Sequence, residues 1–287
     1  MNRFFCVYDS SASSKSNLEK RVLLLRQASA KRRIKFVELD QCTADFANLP
    51  EVTPFDSVYN CGRGGIILEN LLLHGGAATV HRNRPIVSVA QDNELWSIRL
   101  DAAGISAPKT IWHGTCDRTL LDKYVEYVGG FPVVIKVAGG TRGIGVMFAE
   151  DHKTLFGICD FLVGSSLQFA IREYIPAESV ERAVVIGDRV CCVVSRSIRA
   201  KDFRSVGHPD TNLQLKTVPD ELSRLAVSAC HVAGFDFGGI DIVRNITDST
   251  FKVLEVNCPH DFLLLENSFN QEIAGMLVDW LSAQIAG

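Results

Sequence analysis

Short runs rich in branched apolar residues alternate along the chain with stretches whose apolar positions recur every three to four residues. Phe4–Tyr8, Lys35–Leu39, Ser57–Asn60 and Pro85–Val89 read as strands. A helix from Ser16 to Lys31 opens with the capping-box pattern Ser16-Asn-Leu-Glu19, and Ile66–Leu73 reads as a second helix that Gly75 can end. This β-α-β alternation predicts an α/β domain over residues 1–90, with a parallel sheet covered by helices. Beyond it the pattern becomes mixed. Helices are expected at Asp92–Ala103, Leu120–Val128 and Asp151–Leu162, with strands at Val133–Val137 and Val146–Phe148, which makes a central lobe of residues 91–167. Gln168–Ile175 reads as a strand opening a last lobe, 168–287. That lobe continues with a hairpin, Ala183–Ile186 and Val190–Ser195, turning at Gly187-Asp188. A helix at Asp220–Val232, two strands at Gly238–Val243 and Phe251–Pro259, and an amphipathic helix at Ser268–Gln284 complete the chain.

Composition narrows the function classes. At 287 residues the chain can bury a substantial core, and 47% hydrophobic with 22% charged residues is ordinary globular usage. Thirty basic residues against 33 acidic ones, without a long basic run, argue against nucleic-acid binding. No apolar run approaches a membrane span, and the N-terminal apolar patch is too short for a signal peptide. Nine cysteines without a C-x-x-C pair suggest free, mostly buried thiols in a reducing cytoplasm.

Candidate chemistry concentrates in three places. Side chains alternate across a strand, so Glu255 and Asn257 share a face, and Asp241 joins them if the two late strands pair as a hairpin. Two carboxylates and an amide oxygen are hard ligands suited to Mg²⁺ beside phosphates; the alternative is a solvated hairpin face. Lys136 lies within the apolar strand Val133–Val137, just before the glycine-rich loop Gly139–Gly145. That loop joins two strands, so it is neither a Walker loop nor a dinucleotide fingerprint, and it reads as a lid whose N–H groups close over phosphate. The turn Gly62-Arg-Gly-Gly65 ahead of a helix is a weaker anion-site candidate through Arg63, or a plain tight turn. Arg196, Arg199, Lys201 and Arg204 form a cationic loop that could equally be solvated surface.

In order, PVVIKVAGGTRGIGV, REYI, ERAVVIGD, SRSIRAKDFRS, GGIDIV and LEVNCP resemble the ATP-grasp carboxylate–amine ligases of the RimK-like branch, which includes ribosomal protein S6 glutamate ligase and amino-acid ligase relatives. The resemblance covers roughly residues 85–267. It implies an ATP-grasp fold, with a Rossmann-like lobe followed by two α+β lobes that clamp ATP. It also implies an ADP-forming ligase that joins a carboxylate to an amine through an acylphosphate. Lys136 matches the central lysine on the nucleotide phosphates, and Gly139, Gly140, Thr141, Arg142, Gly143, Ile144 and Gly145 match the lid. Arg172, Glu173, Tyr174 and Ile175 match the segment that reads the adenine edge. Arg204 matches the arginine on the transferring phosphate, and Asp241, Glu255 and Asn257 match the Mg²⁺ ligands, for two ions with Mn²⁺ as a substitute. Small-molecule amino acids or peptides are the implied substrates, and homo-oligomers are common in such a family. Three positions depart from its pattern. Asn93 replaces an expected lysine; Val180-Glu181-Arg182 replaces DxR and leaves the ribose to Glu181 or Glu178; Cys258-Pro259-His260 replaces SPG. The last change makes His260 and Asp261 candidates on the acceptor side. Ligation of free amino acids, modification of a peptide carrier and intramolecular ring closure all stay open, as does a catalytically silent ATP-binding module.

Overall fold

In the computed structural model, the structure describes residues 2–11, 15–62, 64–82, 93–139, 143–198, 204 and 213–285. The first lobe runs β1 (Arg3–Tyr8), α1 (Lys15–Lys31), β2 (Lys35–Asp40), β3 (Ser57–Asn60) and α2 (Ile66–Leu73). Its three strands pair parallel in the order β2-β1-β3. β1 is apolar throughout its interior because both of its faces are covered. Phe4 and Cys6 pack with Leu18, Val22 and Leu25 of α1, whereas Phe5 and Val7 pack with Leu68 and Leu72 of α2. The expected strand Pro85–Val89 lies outside the described residues.

The middle of the chain forms α3 (Asn93–Ala102), β4 (Thr110–Ile111), α4 (Arg118–Tyr127), β5 (Val133–Val137), β6 (Val146–Ala149), α5 (His152–Gly164) and β7 (Phe169–Glu173). The four strands make an antiparallel sheet in the order β4-β7-β5-β6. The side chains of Asp117 and Asp151 cap α4 and α5, accepting from the amides of Leu120 and Thr154. These helices bury one sheet face, with Leu121, Leu155 and Cys159 packing on Val133, Ile135 and Ile171. The strand expected to open the last lobe is instead β7, bonded between β4 and β5, so the chain leaves this sheet only after Glu173. α3 packs through Trp96 and Leu100 against the last lobe.

That lobe contains β8 (Ser179–Ile186), β9 (Arg189–Ser197), β10 (Leu213–Leu215), α6 (Asp220–Ala233), β11 (Phe237–Arg244), β12 (Phe251–Asn257), α7 (Leu263–Phe269) and α8 (Ile273–Ala283). Its sheet runs β10-β9-β8-β11-β12, all antiparallel. α6 and α3 cover one face, over Ala183, Val185, Ile240, Ile242 and Val256. On the other face Val184, Ile186, Val194 and Phe237 share a core with α1, β1 and α8. The single helix expected over Ser268–Gln284 is two helices. The chain breaks at Asn270, whose left-handed backbone (φ 54°) suits asparagine, and the Glu266 carboxylate accepts from the amide of Ala274 to start α8. Arg32 at the end of α1 clasps Asp279 of α8 at 2.5 and 2.7 Å. All nine cysteines are free; four are buried, and Cys42 and Cys116 are exposed. Among the described residues, no helix is long and apolar enough to cross a membrane.

Candidate active site

β11 and β12 pair so that Asp241 stands directly opposite Glu255 and Gly239 opposite Asn257, with a bulge just after Asp241. Directly opposed residues share a face. Asp241, Glu255 and Asn257 therefore lie together on the face that carries the core with the first lobe. Arg182 of β8 is opposite Asp241 from the other side. Along β8 and β11 this face passes from apolar Ile186, Val184 and Phe237, through the charged strip, to apolar Val180 and Val243.

Arg182 donates Nε and Nη2 to the two carboxylate oxygens of Asp241 at 2.6 and 2.5 Å. Both side chains are largely shielded, 18% and 9% exposed. Burial works against the guanidinium charge, but the facing carboxylate outweighs it, and the Arg182 pKa is raised. Asn257 Nδ2 donates to the Gly239 carbonyl at 3.4 Å, so its amide oxygen is the atom that could serve as a ligand. Gly239 has to be glycine. A β-carbon there would sit 2.4 Å from Nδ1 of His260, whose ring packs edge-on to Phe237 at 6.1 Å. Burial, then the charges of Arg182, Arg196 and Arg21, push the His260 pKa well down. The donor set fits Mg²⁺: two opposed carboxylates and an amide oxygen on one face are hard ligands, and in the structure a cation, the Arg182 guanidinium, already neutralises Asp241.

The open face of the central sheet carries the second group. Lys136 is half-buried there, between Val146 and Ala170, while its neighbours Val133 and Ile135 face the helices. Gly139, Gly143 and Gly145 have φ of 75°, 74° and 81°, so this loop needs residues without a β-carbon. Ile144 between them is 72% exposed. Arg204 donates Nη1 to the Gly143 carbonyl at 3.1 Å, which brings two expected phosphate groups together. Gly140, Thr141, Arg142 and Arg63 lie outside the described residues. Arg172 is half-buried and donates to Thr110 Oγ1 at 3.1 Å and to the Leu254 carbonyl at 3.3 Å, tying the central sheet to β12. Burial lowers its pKa, against the pull of Glu255 and Glu173. The Glu173 carboxylate accepts from the Lys109 amide at 2.9 Å and from Lys252 at 3.1 Å, and its own N–H donates to the Lys109 carbonyl. Tyr174 meets Phe148 edge-to-face at 5.0 Å, and Ile175 packs on Val180 and Val243 beside the charged strip.

Glu181, expected at the ribose, does not share the face of Asp241, Glu255 and Asn257. It pairs with Ile242 on the opposite face, where its carboxylate accepts from Ser179, Ser195 and Lys216 at 2.7, 3.1 and 3.2 Å. Arg196 is on the strip's face, opposite Val180. It lines a cavity of about 360 Å³ with Arg182, Lys20, Asn17 and Asp261. Sequence reasoning missed Arg182 and Lys20 here. The parity of β8, where Arg182 follows the buried-face rhythm of Val184 and Ile186, was the available signal for the first. No local pattern marks the second.

A family model described as the RimK-like ATP-grasp domain matches residues 91–281. The chain is 32% identical over 180 residues to a probable alpha-L-glutamate ligase of Hahella chejuensis, an alignment covering 62% of this chain and 58% of that protein. It is 30% identical over 203 residues to the ribosomal protein bS6–L-glutamate ligase of Salmonella paratyphi B, covering 69% and 66%. The chain thus spans between 58% and 66% of the length of these two relatives. Among solved structures, the ATP-grasp ligase PsnB complexed with minimal precursor, Mg and ADP superposes with a TM-score of 0.75 at 18% identity, over 99% of this chain and 97% of that one. At that identity the likeness concerns the fold alone.

Proposed function

This chain belongs to the RimK-like ATP-grasp family, and on that premise we propose that it is an ATP-dependent ligase that joins a carboxylate to an amine, releasing ADP and phosphate. The observation that carries the reading is the opposition of Asp241 and Glu255, with Asn257 on the same face, in a sheet tied by Arg172 to the one bearing Lys136. A carboxylate is a poor electrophile, so its activation takes the γ-phosphoryl of ATP to give an acylphosphate, and the amine then displaces phosphate from the acyl carbon. Phosphoryl transfer asks for positioning and charge neutralisation. Lys136 and the lid amides hold the phosphates, Arg204 reaches the transferring group from its seat on Gly143, and residues 172–175 border the adenine. Asp241, Glu255 and Asn257 would hold Mg²⁺, as two ions and with Mn²⁺ as a substitute, which when bound neutralises phosphate charge. Closure of the glycine lid keeps water from the acylphosphate.

The substrates in this reading are amino acids or short peptides, handled in the cytoplasm, where nine free thiols persist. The test is ADP release from Mg-ATP across amino acids, dipeptides and related acids, singly and in pairs, with mass spectrometry of products. Release requiring two components, with a product lighter than their sum by one water, is the expected result. A product lighter by one water than a single component indicates ring closure instead. No ADP release with any pair, or with a peptide carrier, refutes the ligase reading.

A further inference from the structure

Two observations meet at one side chain. Arg182 saturates both oxygens of Asp241 with a two-pronged ion pair. The same Arg182 also lines the cavity of about 360 Å³ whose other charged walls, among the described residues, are Arg196, Lys20 and Asp261. Cations therefore outnumber carboxylates on the lining, and Asp241, outside it, supplies Arg182's counter-charge. Among the described residues no carboxylate forms an ion pair with Arg196, and its Nε is buried without a hydrogen-bond partner. Burial, and then Arg182 beside it, lower the Arg196 pKa, with Asp241 pulling the other way.

We propose that Arg182 is an exchangeable counter-ion linking the metal site to this cavity. With no cation at Asp241 it holds both carboxylate oxygens. When a divalent cation takes Asp241, the guanidinium turns into the cavity and, with Arg196 and Lys20, receives the carboxylate of the acid substrate.

A carboxylate shared between a guanidinium and a divalent cation places two positive centres within a few ångströms, in a shielded strip where screening is weak. With Arg196 already close, the released charge has to find an anion, and the cavity beside it is where one can enter. Metal loading thus creates the anion site, and by linkage a cavity anion strengthens metal binding. Carboxylate binding would then follow the metal–nucleotide, so the acid is not sequestered when ATP is absent.

This inference rests on the assignment of Asp241 as a metal ligand, and the experiment separates the two. Mn²⁺ alone is titrated into the wild type, Arg182→Met, Arg182→Lys and Asp241→Asn, with free Mn²⁺ read by electron paramagnetic resonance and folding checked by circular dichroism. Arg182→Met should bind Mn²⁺ about tenfold more tightly than wild type, the scale of one close charge pair. Arg182→Lys, which keeps the charge but not the fork, should fall between them. Asp241→Asn should abolish binding. Unchanged or weaker affinity in both Arg182 variants, with Asp241→Asn still deleterious, overturns the exchange and leaves the metal assignment standing. Binding indifferent to Asp241→Asn overturns both. A second readout follows Arg182 itself: phenylglyoxal labelling, quantified by peptide mass spectrometry with Arg196 as internal reference, should accelerate several-fold when Mn²⁺ is added to the wild type. Equal labelling with and without Mn²⁺ overturns the movement.

Discussion

Asp241→Asn preserves the shape of the side chain and removes its charge, and it isolates the ion pair at the centre of the site. The pair is bidentate at 2.6 and 2.5 Å, with the arginine 18% and the aspartate 9% exposed. For charge centres about 4 Å apart, an effective dielectric near 20 gives roughly 4 kcal/mol of attraction. Breaking one partner of a buried pair costs about 3–5 kcal/mol, because the other charge stays shielded from water. Glu255 stands beside the pair and takes part of the load, so the lower end applies, about 3 kcal/mol. The assay is equilibrium urea unfolding of wild type, Asp241→Asn, Arg182→Met and the double variant. The double variant should be more stable than the two single losses added together, with a coupling energy of at least about 1.5 kcal/mol. Additivity within about 0.5 kcal/mol would show that the two charges are solvated independently, and the reasoning about the strip would fall.

Other outcomes follow from neighbouring contacts. Glu255→Ala with Asn257→Ala should abolish ADP release while the protein stays folded by circular dichroism; full activity there would sink the metal assignment. Gly239→Ala forces a methyl to within 2.4 Å of His260 Nδ1 and should cost about 1–3 kcal/mol in urea unfolding, much of it recovered when His260→Ala is added. No recovery in the double variant would mean that the strain lies elsewhere. At the base of the first lobe, burial opposes the charge of Asp56, but hydrogen bonds from Arg3 and Thr53 hold its carboxyl below the ordinary range. A depressed carboxylate contributes stability above its unfolded pKa near 4, and that contribution disappears as pH falls through the lower folded value. Asp56→Asn should therefore destabilise at neutral pH and flatten the acid limb of the stability curve; an unchanged limb would contradict it.

How much of this was legible in the sequence depends on the range over which each feature is determined. Strand and helix periodicities are local, so strands Ser57–Asn60 and Val133–Val137 and helix Ile66–Leu73 match their expected bounds, and the two-residue rhythm placed Glu255 and Asn257 on one face. The break in the last helix hinges on one asparagine adopting a left-handed backbone, a choice confirmed only by the Glu266 cap reaching Ala274. Sheet membership is less local still. β7 has the same composition wherever it lies, and only pairing with β4 and β5 assigns it to the central sheet. The cavity is the limiting case. Lys20 on α1 and Asp261 after β12 are brought together by the core that α1 shares with α7 and α8; Asp261 was marked only by its neighbours after Asn257, and Lys20 by nothing in its own segment. Arg182 lies between these extremes. Its parity on β8 was readable, but its meaning was not, because a lone arginine on a buried strand face becomes informative only once the carboxylate opposite it is known. A motif position can thus look degraded, as Val180-Glu181-Arg182 does, while its third residue sits in register with Asp241 and the charged strip.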